Sequence, residues 1–134
     1  MVVPVLKIGS IVLGAEEVPR AVAFWSRALN YHPRHEVAED WAVLVPADGV
    51  PGPNLSIARS ETLVQDHPRV HLDLYAGDVT EQSGEIDRLV ALGAERVMDW
   101  DGYDEDSDFV VLADTEGNRF CVVDSRFQSV SPQP

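Results

Sequence analysis

Between Arg69 and Asp78 apolar and polar residues alternate strictly, with Val70, Leu72 and Leu74 on one side and His71, Asp73 and Tyr75 on the other. That two-residue period predicts a strand over 69–76, one face in a core and the other turned to something polar. Asp78 then opens a helix over 79–92, and Glu81, three residues on, completes a capping box. Ile86, Leu89 and Val90 form its buried stripe, Gly84 weakens its first turn, and Gly93 stops it.

The same order of periods occurs earlier. A strand over 7–13 leads to Glu16 and Glu17, acids suited to a helix start, and Pro19 suits the first turn of a helix ending near Leu29. Its apolar positions, Val18, Ala21, Val22, Trp25, Ala28 and Leu29, share one face. Strands are expected over 31–37, near an edge because of Pro33, then over 41–45 and 54–58, with a Pro/Gly-rich loop at 46–53. After the second helix come strands near 95–98, over 109–113 and over 119–123.

The two halves read as copies. Trp41 and Gly49 stand at the same spacing as Phe109 and Gly117, and Ala28–Tyr31 matches Ala91–Ala94 at the helix ends. Each half is strand–helix–strand–strand–strand, a unit that leaves one sheet face bare until a second unit covers it. The expected organisation is a single domain: module one at about 6–59, a linker at 60–68, module two at about 69–124 and a loose tail at 125–134.

Charge narrows the partners. A net charge of −13 over 134 residues argues against nucleic acid and anionic membranes, leaving small molecules, cations or proteins. The single Cys121 rules out an intrachain disulfide and fits a reducing compartment. The N-terminal run Met1–Leu6 has no preceding basic region and is too short for a signal or a membrane span, so the expected location is cytoplasmic.

Candidate chemistry gathers on the polar side of the strand over 69–76. His71 and Asp73 lie two apart on one face, about 7 Å between Cα atoms, close enough to share a ligand or a water. Trp41, Val43, Phe109 and Val111 share one parity, and Val12 faces with Ser10; these could floor a cleft for an apolar or planar ligand, or be ordinary core. The acidic loop from Trp100 to Asp108 misses the spacing of an EF-hand. It reads either as a solvated loop or as a lid whose aromatics, Trp100 and Tyr103, and carboxylates cap a cationic ligand. His32 and His35 fall on opposite faces and are expected in solvent; His67, in the linker, carries no assignment.

Together, Ile11–Leu13, Arg20–Trp25, Val70–Leu74 with Asp78, Ala91–Ala94 and Val111–Val123, with its Asp-x-x-Gly-Asn turn at Asp114–Asn118, resemble the glyoxalase / bleomycin-resistance / extradiol-dioxygenase superfamily, also called vicinal oxygen chelate. The glyoxalase-like branch of small bacterial proteins is the most similar. The resemblance implies an α+β fold of two paired βαβββ modules, whose curved mixed sheets form a cleft, and a homodimer. In metal-using members four positions, on the first and last strand of each module, supply His and Glu ligands. Carried onto this chain, these are Ser10, Ser56, His71 and Cys121. One good ligand, two neutral hydroxyls and a thiol suit an oxygen-preferring cation poorly, so no cofactor is expected and a divalent metal is disfavoured. The family fold sets the strands of His71 and Cys121 side by side. Cys121 is then either a thiol activated by His71, with Asp73 supporting the imidazolium, or an inert buried side chain.

The expected function is a glyoxalase-like protein binding a small organic metabolite, and, if it is an enzyme, a metal-free lyase or isomerase moving a proton through His71. The expected catalytic set is His71, Asp73 and Cys121, and the ligand-binding set is Ser10, Val12, Trp41, Val43, Ser56, Tyr75, Trp100, Tyr103, Phe109 and Val111. The alternatives are a bleomycin-resistance-type protein sequestering a cationic aromatic drug, and a metal-dependent lyase or dioxygenase.

Overall fold

The computed structural model describes residues 2–100 and 107–124. It falls into two compact units, Met1–Thr62 and Leu63–Pro134. Among the described residues the first holds β1 (Ser10–Ala15), α1 (Val18–Leu29), β2 (Tyr31–Pro33), β3 (Trp41–Pro46) and β4 (Asn54–Arg59). Its open sheet has the order β1-β4-β3-β2, with β1 parallel to β4 and the other pairs antiparallel. The helix supplies the crossover that a parallel pair needs.

Helix α1 forms where the apolar spacing and Pro19 predict it, and Asn30 in the left-handed region (φ 57°) ends it. It buries Val18, Ala21, Val22, Phe24, Trp25 and Ala28, and packs against β2, β3 and β4. Phe24 is buried as well, its ring meeting Trp25 edge-on, 5.0 Å between centroids. Register sorts the sheet: Ala42, Leu44, Leu55 and Ile57 are buried, whereas Ser10, Val12, Trp41, Val43 and Ser56 share the opposite face.

The second unit repeats the plan with β5 (Asp73–Ala76), α2 (Val79–Leu92), β6 (Glu95–Arg96), β7 (Phe109–Ala113) and β8 (Arg119–Asp124). The sheet order is β5-β8-β7-β6, again with one parallel pair, β5 and β8. Asp78 caps α2 as expected, its carboxylate accepting from the Glu81 N–H at 2.8 Å. The Glu81 carboxylate returns to the space a Cβ at residue 77 would fill, so a side chain at Gly77 would displace it. The chain is thus α+β, two βαβββ modules.

The β7–β8 turn shows why its residues recur in a motif. One Asp114 oxygen accepts from the N–H groups of Glu116 and Asn118, both at 2.9 Å. The Asn118 amide donates to the other oxygen at 3.3 Å, and Gly117 takes the positive φ (90°) the turn requires.

Several elements differ from the sequence pattern. Strand β1 begins at Ser10, not residue 7, because pairing starts where Ser10 meets Asn54; Val5, Leu6 and Ile8 are exposed. Strand β5 likewise begins at Asp73, where its pairing with Cys121 starts, although the Cys121 N–H still donates to the Leu72 carbonyl at 2.9 Å. Strand β2 stops at Pro33 and β6 at Arg96. In α2 only Ile86 and Leu89 are buried, and Val90 is 40 % exposed. There Gln82 stands in for apolar contact, donating to the Asp108 and Val122 carbonyls at 3.2 and 3.0 Å.

Candidate functional site

Rows across the second sheet assemble the site. Asp73, Cys121 and Val111 face one another in register, and Tyr75, Val123 and Phe109 form the next row. The floor is apolar: Val97, Val111 and Cys121 are buried together, with Trp100, Phe109, Ala113 and Val123 packed against them. His71 lies just ahead of β5. Its Nε2 is 3.0 Å from Asp73 Oδ1, and the two side chains stay about one-third and one-half exposed (32 % and 48 %). Trp100 meets the His71 ring edge-on at 6.0 Å between centroids.

Donor atoms of His71, Asp73 and Cys121 all lie within 4.8 Å of one another. Burial first, then the charge of Asp73 and a hydrogen bond to it, push the Cys121 thiol up to about 12. Of the two alternatives for Cys121, a thiol activated by His71 or an inert buried side chain, this favours the second, because the neighbouring Asp73 is an anion and disfavours thiolate.

The module-one residues are brought together on their own sheet. Val12 and Val43 both pair with Ser56, and the Ser10 and Ser56 hydroxyls bond each other at 2.7 Å. Ser56 is buried, Val12 is 57 % exposed and Trp41 44 % exposed. Tyr75 is on the face of Asp73 but 59 % exposed. Tyr103, with the middle of the acidic loop, lies outside the described residues. A hollow of about 460 Å³ at the start of α1, lined by Glu16, Glu17, Arg20, Glu39 and Arg59, contains none of the predicted site residues.

Two residues escaped the sequence pattern. His67 stacks obliquely on Trp100, 5.4 Å between centroids and 32° between planes. Arg119, its side chain only 14 % exposed, lies 3.1 Å from the Asp99 carboxylate and 3.7 Å from that of Asp66. Parity with Cys121 on β8 could have flagged Arg119. Nothing in a linker pattern singles out His67.

The superfamily implies a divalent cation, and the four positions carried over from it do not fit an oxygen-preferring one. Two are neutral hydroxyls already bonded to each other, and the fourth is a thiol that keeps its proton. The triad within module two is a different donor set, which adds Asp73, a residue outside those four.

The fold is that of the glyoxalase/bleomycin resistance/dioxygenase class, the vicinal oxygen chelate superfamily. The chain belongs to the glyoxalase-like domain family, whose model matches residues 10–123. Among solved structures it is similar to the fosfomycin resistance protein FosX from Listeria monocytogenes, with TM-score 0.70, 13% identity, and 97% of this chain and 100% of that one covered. A point mutant of that protein in complex with Mn(II) and 1S,2S-dihydroxypropylphosphonic acid gives TM-score 0.67 at 15% identity, covering 90% of each chain. A glyoxalase/bleomycin resistance protein/dioxygenase family enzyme from Burkholderia phytofirmans gives TM-score 0.65 at 14% identity, covering 87% of this chain and 97% of that one. No curated protein matches the sequence. Among the described residues no helix is long and apolar enough to cross a membrane.

Proposed function

We propose that this chain binds a small organic molecule beside the His71–Asp73 pair of the second unit and acts on it by acid–base chemistry at His71, without a bound metal. The observation that carries the reading is the His71–Asp73 pair, 3.0 Å apart and partly exposed beside an apolar floor. With Asp73 accepting from the Nε2–H, the proton stays on that nitrogen and Nδ1 keeps its lone pair. Nδ1 can then take a proton from carbon next to a carbonyl, while the Asp73 carboxylate stabilises the imidazolium that forms. The neutral Cys121 thiol is a wall and a second donor to Asp73, and takes no covalent part.

Deuterium exchange tests this. The protein is incubated in D2O with a panel of 2-oxo acids, hydroxyketones and hydroxyaldehydes, and loss of the carbon-bound proton is followed by NMR. Exchange above the buffer rate for at least one compound, lost about 10²–10⁴-fold in His71→Ala, is expected. Buffer-rate exchange throughout the panel would remove the reading.

One observation favours a second reading. An imidazole, a carboxylate and a thiol within 4.8 Å are the three protein donors of a zinc-type site with an open fourth position. Zinc there would require the thiol to give up its proton, and would act as a Lewis acid toward a bound oxygen. Elemental analysis separates the two: near-stoichiometric metal lost in both His71→Ala and Asp73→Ala selects the second.

A further inference from the structure

Arg119 takes no part in the proton chemistry just described, yet it sits on the same face of β8 as Cys121 and is mostly buried (14 % exposed). Its Nη1 donates to the Asp66 backbone carbonyl at 2.7 Å. Its Nη2 lies 3.1 Å from Asp99 and 3.7 Å from the Asp66 carboxylate. Both aspartates belong to segments without regular structure. Each is followed directly by a ring: Asp66 by His67 and Asp99 by Trp100. Those rings stack at 5.4 Å, and Trp100 in turn meets the edge of His71 at 6.0 Å.

We infer that Arg119 is a positioning residue for the His71 site: it clamps the segment before β5 to the segment after β6, and so holds Trp100 as the wall against which the His71 ring rests. The inference rests on the reading of His71 as the working group. A guanidinium suits the task because its planar fork serves a carbonyl and two carboxylates at fixed angles; an ammonium has no such fork. The clamp also uses up the charge of Arg119, so this arginine offers no free cation to an anionic ligand. Both carboxylates are largely exposed, 76 % and 69 %, so the pairs add little to global stability and their loss should register locally.

NMR of the His71 imidazole tests the clamp without substrate. Trp100→Leu first measures the full ring-current shift that Trp100 imposes on the His71 ring protons. Arg119→Ala is expected to lose most of that shift while the amides of β5, β7 and β8 keep theirs, and Arg119→Lys is expected not to restore it. Asp99→Asn, a change at an exposed side chain that leaves the fold intact, is expected to lose part of the shift, and it decides the matter if Arg119→Ala does not fold. His71 ring shifts that stay at wild-type values in Asp99→Asn and in folded Arg119→Ala would overturn the proposal. The clamp is judged by these shifts alone and the acid–base reading by deuterium exchange alone, so either can fail while the other stands.

Discussion

The two modules place residues on the same grid and put different chemistry on it. In the first, Val12, Ser56 and Val43 form a row across β1, β4 and β3. In the second, Asp73, Cys121 and Val111 form the matching row across β5, β8 and β7. Two residues before Val12 and Asp73 stand Ser10, on β1, and His71, just ahead of β5. Where module one closes its polar atoms on themselves, hydroxyl to hydroxyl at 2.7 Å, module two leaves an imidazole against a carboxylate, partly open to solvent. Duplication therefore conserves geometry more strictly than side chains. A residue's role in such a fold follows from its position only after its partner in the row has been read.

The largest effect expected from this contrast is catalytic. On a compound that shows exchange, His71→Ala should lower the rate about 10²–10⁴-fold, whereas Ser10→Ala, at the matching position, should leave it within about twofold. Equal losses at both positions would mean the two modules share the chemistry, and the contrast would break.

Cys121 against Ser56 gives the next test. At about 12, rather than the ordinary 9.0, the folded thiol should alkylate at pH 8 about a thousandfold more slowly than in urea. The stability that goes with the raised value is fully present below about pH 9 and is lost as pH rises from about 9 toward 12. Cys121→Ser, which installs the module-one residue, should flatten that part of the stability–pH curve in denaturant melts. Rapid alkylation of the folded protein at pH 8 would show an activated thiol after all.

The helices differ in how they are anchored. Trp25 and Ile86 stand equally far from their N-caps, as do Ala28 and Leu89, and all four are buried. But α1 buries six side chains and α2 only two; Gln82 supplies hydrogen bonds where α1 has an apolar contact. Trp25→Ala should cost about 3–5 kcal/mol and Ile86→Ala about 2–4 kcal/mol in urea unfolding, with Val90→Ala below about 0.5 kcal/mol. A cost at Val90 like that at Ile86 would restore the continuous stripe that the sequence spacing suggests.

How much of this was legible follows from range. The helices, the β7 strand and the Asp114–Asn118 turn rest on local spacing and local hydrogen bonds, and they form where the pattern puts them. The repeat of one plan in both halves was visible because Trp41 with Gly49 and Phe109 with Gly117 keep the same spacing. The starts of β1 and β5 were not, since a strand begins where its pairing begins, and the partners Asn54 and Cys121 are far along the chain. The site divides the same way. His71 with Asp73 is a two-residue spacing and could be read directly. That Asp73 also faces Cys121 depends on parallel register, and this is why the thiol's raised pKa could not be foreseen. His67 and Arg119 join through Trp100 and Asp99, contacts that span most of module two and leave no periodic trace.

The smallest expected effect concerns the helix starts. Glu17 precedes α1 with no side-chain capping bond, its carboxylate instead 2.6 Å from Arg20 on the surface. Asp78 precedes α2 and accepts from the Glu81 N–H at 2.8 Å. A carboxylate bonded to an otherwise unpartnered helical N–H contributes about 1 kcal/mol, and an exposed ion pair about 0.5 kcal/mol or less. Asp78→Ala should therefore lower the unfolding free energy by about 1 kcal/mol in denaturant titrations and Glu17→Ala by less than half of that. Installing Asp at residue 17 should raise stability by up to about 1 kcal/mol, because the Glu17 backbone is already extended (φ −128°, ψ 105°) as a cap requires. If Glu17→Asp gains nothing while Asp78→Ala loses the full amount, the extended backbone alone does not make a cap. The geometry shared by the two modules would then stop short of their helix starts.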